Sequence, residues 1–216
     1  SDPTDKKSWS GILYYMALAL QRHCGNVEFL TSVTSKIPIN IGGMFSMISR
    51  KTINRRFDYY HSIWLAKTYA RSFNKKLQSH NYDLIFAVPS STLGPYLKTD
   101  IPIILCPDST YYCKLNYYPL YTNLFNFSVN HGKMLERKAF QKANALIFPS
   151  QWAADSAIKN FNMPIEKIFV IPMGANLEAV PLENDFSSPN NSGVCRLLFI
   201  GTEWERKGGL IAFETL

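Results

Sequence analysis

The feature that most constrains this chain is a set of short, wholly apolar runs separated by segments of helical periodicity. Asp83-Leu84-Ile85-Phe86-Ala87-Val88 closes on Pro89, Ile101 to Cys106 is a second run, Ala145 to Pro149 a third and Lys167 to Pro172 a fourth. A strand with one wet face alternates apolar and polar residues, whereas a run apolar throughout is buried on both faces. Between the runs the apolar spacing is helical. The alternation predicts an α/β fold with a parallel sheet covered by helices.

The expected helices are Trp9 to Arg22, about Tyr59 to Gln78, a short one over Ser90 to Leu97, His131 to Ala143, and Gln151 to Asn160. Ser150 is expected to cap the last by accepting backbone N–H bonds that have no helical partner. Val27 to Val33 reads as a further strand. Ile37 to Asn54, with Pro38, Gly42 and Gly43, reads as a loop with a helix after it, and the aromatic stretch Tyr111 to Tyr121 as a loop or irregular helix. Trp9, Trp64 and Trp152 are expected in the core. His23, His61, His80 and His131 are expected to be structural, His131 as a helix cap.

After residue 177 the character changes. Pro181, Asn184, Ser187, Ser188, Pro189, Asn190 and Asn191 make 178–193 a polar, turn-rich linker. Cys195 to Ile200 then reads as a new strand and Gly208 onward as a new helix. The expected organisation is one domain over 1–177, the linker, and the first elements of a second domain over 194–216. The chain begins in loop chemistry and ends inside a helix, so it is expected to be truncated and, by itself, catalytically inactive.

Composition removes several classes. Of 216 residues 46% are hydrophobic and 18% charged, which supports a packed core and argues against disorder. No stretch reaches the roughly 18–20 apolar residues of a membrane span. The start, Ser1-Asp2-Pro3-Thr4-Asp5, is acidic where a secretory signal is basic. Cys24, Cys106, Cys113 and Cys195 have no zinc spacing and are expected as reduced thiols in a cytoplasmic protein. The formal net charge is +7, concentrated in Arg50-Lys51, Arg55-Arg56, Lys67, Arg71, Lys75 and Lys76. This face is either a solvated helix surface or one suited to an anionic membrane; nucleic acid is disfavoured because no nucleic-acid motif accompanies it.

Two stretches are suited to phosphate. Ser10-Gly11 enters a helix, where backbone can approach a ligand closely and free N–H groups point outward. Phe199-Ile200-Gly201-Thr202-Glu203-Trp204-Glu205-Arg206-Lys207-Gly208-Gly209 is a strand ending in glycine, a loop with a basic pair, and two glycines opening a helix. Backbone donors and cationic side chains there fit a diphosphate. It is not a Walker loop, and no Asp-x-Asp or G-x-G-x-x-G motif occurs.

This last segment resembles the phosphate loop of retaining GT-B glycosyltransferases of family 4, with Gly201, Lys207 and Gly208 at matching spacing. Thr202 stands where that family has arginine, and Arg206 is the available replacement. Ala143-Asn144-Ala145-Leu146-Ile147-Phe148-Pro149-Ser150 and Glu166-Lys167-Ile168-Phe169-Val170-Ile171-Pro172-Met173-Gly174 resemble the same family. The resemblance implies two doubly wound, Rossmann-like domains about a cleft. It implies transfer of a sugar from a nucleotide-diphosphate donor to a hydroxyl with retention of configuration. Lys207, Arg206, Gly201 and Thr202 would meet the donor diphosphate, with Ser10 and Gly11 lending backbone donors, and Gly174 would lie near the cleft. Asp108, following the strand Ile101 to Cys106, stands where family members place a histidine or aspartate toward the transferred sugar or the acceptor; ordinary turn chemistry is the competing reading.

By the same resemblance no metal or cofactor is expected, since the nucleotide-sugar is a substrate. The acceptor is a carbohydrate, a lipid-linked molecule or a small molecule. The expected location is cytoplasmic, with peripheral contact at the inner membrane face as an extension of it. Two other readings stay open: a non-catalytic binding module with a basic face for anionic membrane or nucleic acid, and another GT-B enzyme such as a sugar-nucleotide epimerase.

Overall fold

The four apolar runs become strands, each shorter than its run: β1 (Ile85–Ala87), β2 (Ile103–Leu105), β3 (Ala145–Phe148) and β4 (Ile168–Val170). The structure is a computed structural model and describes residues 3–30, 36–88, 91–180, 182, 197–201 and 203–215. The helices among them are α1 (Ile12–His23), α2 (Lys36–Ile53), α3 (Ile63–Leu77), α4 (Tyr111–Lys114), α5 (Asn126–Lys142), α6 (Gln151–Phe161) and α7 (Gly209–Glu214). Residues 1–176 form one compact unit and 177–216 a second, smaller one.

In the first unit the sheet order is β1-β2-β3-β4 and every pair is parallel. Parallel neighbours need a crossover, and α5 joins β2 to β3 as α6 joins β3 to β4. Asn144 lengthens the β2–β3 ladder. Its N–H donates to the Ile103 carbonyl at 2.8 Å, and its Oδ1 accepts the Ile103 N–H at 2.9 Å. The mixed α/β architecture with a Rossmann-like parallel sheet agrees with the alternation in the sequence.

Burial alternates along β2 and β3: Ile103, Leu105, Leu146 and Phe148 are buried, and their neighbours are half-buried. The buried set packs with Phe73 and Leu77 of α3, Ala139 and Phe140 of α5, and Ala157 and Phe161 of α6. Phe140 stands edge-on to Phe148 and Phe161, with centroids 5.9 and 5.2 Å apart. Such pairs add about 0.5–1.5 kcal/mol each beyond the area they bury.

Several elements depart from the sequence reading. Residues 36–53 form one helix rather than a loop and a helix. Pro38 falls in its first turn, where a missing N–H has no helical partner to lose. Gly42 lies against Tyr59, and a Cβ there would come within 2.4 Å of the Tyr59 Cβ. The helix expected from His131 begins at Asn126, so His131 is an interior residue and not a cap. Of Val27 to Val33, residues 27–30 form no strand and 31–33 lie outside the described residues. A strand exists only as a member of a ladder, and 27–30 have no described neighbour to pair with.

Trp64 and Trp152 are not core: they are exposed by 49% and 60%. Each sits one residue, about 100° of helix, ahead of a buried stripe, Leu65-Ala66-Ala70-Phe73 on α3 and Ala153-Ala154-Ala157 on α6. Trp9 is half-buried. The helix expected over 90–97 reduces to a 3-10 turn, Gly94–Tyr96, with Ser90 outside the described residues. Tyr111 to Tyr121 is α4 followed by a 3-10 turn at Pro119–Tyr121, the irregular helix anticipated. Ser150 does cap α6, its Oγ accepting the Ala153 N–H at 3.4 Å.

In the second unit Leu197 to Ile200 form no strand and are exposed, for the same lack of a described ladder partner; Cys195 lies outside the described residues. Cys24, Cys106 and Cys113 are free thiols. Among the described residues no helix is long and apolar enough to cross a membrane.

Candidate functional site

In a parallel α/β sheet the loops leaving the carboxyl ends of the strands share one edge, where ligands of such folds bind. There β2 runs through Cys106 and Pro107 into Asp108. The Asp108 Oδ1 accepts the Ser109 N–H at 2.8 Å and lies 3.8 Å from the Lys114 Nζ, with the side chain 44% exposed. Its hydrogen bonds and ion pair stay within the loop that becomes α4. Thr110 caps that helix, and its hydroxyl lies 2.6 Å from the Ser156 Oγ on α6.

Beneath this loop lies a buried polar network centred on Tyr111, whose side chain is fully buried. The Tyr111 N–H donates to the Glu136 Oε2 at 2.5 Å, and its hydroxyl donates to the Asp58 Oδ2 at 3.1 Å. The same Asp58 oxygen lies 2.7 Å from the His61 Nδ1. The Asp58 N–H in turn donates to the Ser128 Oγ at 2.8 Å. Tyr111 thus ties the loop after β2 to α5 on one side and to the 59–61 turn on the other.

The two buried carboxyl groups are driven in opposite directions. For Asp58 burial pushes the pKa up, but the hydrogen bond and charge of His61 and the Tyr111 hydroxyl outweigh it, leaving the group below its ordinary value. Glu136 makes no salt bridge among the described residues. Burial raises it most, the Tyr111 N–H and Lys114 oppose that, the Asp108 charge adds to it, and the result is a pKa of about 7. The hydroxyls of Tyr111 and Tyr121 are pushed up by burial and by the Asp58 charge.

Beside Tyr121, whose ring meets Tyr111 edge-on at 5.7 Å, opens a cavity of ≈ 310 Å³. Arg55, Asn116, Asn123, Asn126 and Lys133 line it together with Tyr121. Two cations and three amides around one aromatic ring suit a polyhydroxylated ligand carrying negative charge.

Ser10 and Gly11 precede α1 in a tight left-handed turn, with φ of +50° at Trp9, +55° at Ser10 and +80° at Gly11. Gly11 is the N-cap of α1; no side chain caps that end, and the Ile12 N–H donates to the Trp9 carbonyl. The Ser10 carbonyl accepts a hydrogen bond from the Asn176 Nδ2 at 2.9 Å. The structure therefore joins the Ser10–Gly11 turn to the segment after β4 that carries Gly174, which is exposed and has open space around it.

In the second unit the Gly201 to Gly208 loop is a turn closed by backbone bonds from Lys207 to Glu203 at 2.9 Å and from Gly209 to Trp204 at 2.8 Å. A Cβ on Gly201 would lie 3.2 Å from the Lys207 Cβ, so glycine lets the lysine stem pack there. Gly208, at φ +76°, opens α7. Arg206 is held by Glu203, Nε to Oε2 at 2.6 Å and Nη2 to Oε1 at 2.8 Å, and that contact pulls the Glu203 pKa down. Lys207 is exposed; Thr202 lies outside the described residues.

Sequence reasoning did not single out Asp58, Tyr111 or Glu136. One signal was present. Gly132, Leu135, Glu136, Ala139 and Phe140 share one helical face, and a glutamate on an otherwise apolar stripe marks a buried charge.

Two comparisons with known proteins bear on this arrangement. The profile of Glycosyltransferase Family 4 matches residues 12–179, a span holding the whole sheet, Asp108 and the buried network. No curated protein matches the chain.

Proposed function

The chain belongs to glycosyltransferase family 4, and we propose that it serves the transfer of a sugar from a nucleotide-diphosphate-sugar to a hydroxyl acceptor with retention of configuration. The observation that carries the reading is the loop after β2. It presents a half-exposed carboxylate, Asp108, at the carboxyl edge of the sheet while Tyr111, Glu136 and Asp58 fasten it from below. A group that must meet a reacting sugar needs such positioning, because small displacements of a catalytic group cost rate steeply.

In this chemistry charge builds on the departing diphosphate, and cations and backbone N–H groups placed to receive it lower the barrier. Lys207 is the exposed cation for that task. Arg206, engaged with Glu203, would act only by exchanging that partner. The Gly201 and Thr202 backbone and the Ser10–Gly11 turn would supply N–H donors. Gly174 would border the donor's path. The cavity lined by Arg55, Lys133 and three asparagines is the place for an acceptor, whether carbohydrate, lipid-linked or small molecule. We assign the reaction to the cytoplasm, where free thiols such as Cys24, Cys106 and Cys113 persist.

The test is release of nucleoside diphosphate from a panel of nucleotide-sugars, using the longest form of the protein that expresses. Lys207→Ala is expected to lower turnover by about two to three orders of magnitude, and Asp108→Asn by at least ~10-fold. Absence of release from every donor, together with no thermal shift by any nucleotide, would overturn the reading.

A further inference from the structure

Helix α2 presents an apolar face to solvent. Ile37, Ile41, Met44 and Ile48 recur at i, i+4, i+7 and i+11, which places them on one stripe. They are exposed by 68%, 48%, 56% and 51%. The buried residues are small or cyclic, Pro38, Gly42 and Ser49, with Gly42 against Tyr59; Phe45 on the same face meets the rings of Phe57 and Phe125. A helix packed on a protein core turns its large side chains inward. This one turns four of them out.

The charges of the segment that holds the stripe have a single sign. Between Phe29 and Phe57 the sequence contains Lys36, Arg50, Lys51, Arg55 and Arg56 and no aspartate or glutamate. Lys51 follows Ile48 by three residues and Met44 by seven, which places it on the stripe's own side, and Arg50 and Lys51 form the last turn. A long aliphatic stem lets such a cation lie against an apolar surface and keep its head in the polar layer. An exposed apolar stripe in a segment whose only charges are cations matches the boundary between headgroups and acyl chains of an anionic bilayer. Nucleic acid would use the charge and leave the isoleucines without a partner.

We propose that α2 docks this protein on anionic lipid membranes, lying in the plane of the interface with Ile37, Ile41, Met44 and Ile48 inserted. The inference does not depend on which donor or acceptor the protein uses.

The test is co-sedimentation of the purified chain with vesicles of phosphatidylcholine alone and of phosphatidylcholine mixed with phosphatidylglycerol. Binding is expected only to the mixed vesicles and is expected to weaken as salt screens the charges. Arg50→Glu with Lys51→Glu should weaken it by about 25-fold or more, from about fivefold for each cation at an anionic surface. Ile41→Ser with Ile48→Ser should weaken it by at least ~10-fold. All four positions are exposed, and circular dichroism of each variant checks that the helix persists. No binding to the mixed vesicles, or equal binding to both kinds, overturns the proposal. So does a dimer in light scattering that Ile41→Ser with Ile48→Ser abolishes in a chain that ignores vesicles, because the stripe would then belong to a second copy.

Discussion

Glu136→Gln should make the protein more stable at alkaline pH. Glu136 is fully buried, and its pKa stands at about 7 against 4.5 for an unperturbed glutamate. The folded state therefore holds the proton more tightly than the unfolded chain does. Stability from this group is complete below about 4.5 and is lost as pH rises through 7. The gap between the two values corresponds to roughly 3 kcal/mol. Glutamine keeps an oxygen for the Tyr111 N–H and cannot ionise. Wild type and variant should match near pH 5, and at pH 8 the variant should gain up to about 3 kcal/mol, or roughly 6–12 °C in Tm for a unit of this size. Thermal unfolding followed by near-ultraviolet circular dichroism at a series of pH values reads this directly. The other charges nearby, Lys114 and Asp108, are unchanged in both proteins, so the difference isolates Glu136. Parallel pH profiles, or a variant less stable than wild type at pH 8, would refute the reasoning.

Two further substitutions converge on the same tyrosine. Gly132→Ala would place a Cβ 2.3 Å from the Tyr111 ring, so overpacking of about 1–3 kcal/mol should outweigh the ~1 kcal/mol alanine gains in a helix, read as a lower urea midpoint. Tyr111→Phe removes the donor to Asp58 and should cost about 1–3 kcal/mol by the same measurement, with the loss largest where Asp58 is ionised.

What could be read in advance followed from patterns that are local. The apolar runs at 85–87, 103–105, 145–148 and 168–170 declare strands and Ser150 declares a helix start, because each depends on its own few residues; the burial expected of all four holds only for β2 and β3, since β1 is half-buried and Phe169 and Val170 of β4, at the sheet's edge, are exposed. The misreadings depend on partners distant in sequence. Gly42 was taken as a loop signal, yet it is glycine because Tyr59 crosses the helix there. Residues 27–30 and 197–200 are apolar enough for strands, but pairing is decided elsewhere in the chain. The position of Asp108 just after a strand was legible from the sequence. The network beneath its loop was not, since Tyr111 lies 53 residues from Asp58 and 25 from Glu136 along the chain and they meet only when α5 packs beside the 59–61 turn.

The cost of that network bears on what it does. A buried ionisable carboxyl at a pKa near neutrality weakens the fold at ordinary pH, and an apolar residue of similar volume at position 136 would fill the same space without that loss. What glutamate supplies and an apolar residue cannot is an acceptor for the Tyr111 N–H, the first helical N–H after the Thr110 cap. With Asp58 holding the other end of Tyr111, the loop from Asp108 to Lys114 is fixed at both its backbone and its side chain. The stability given up at Glu136 goes into fastening the loop that carries Asp108 at the carboxyl edge of the sheet, the edge where ligands of parallel α/β folds bind.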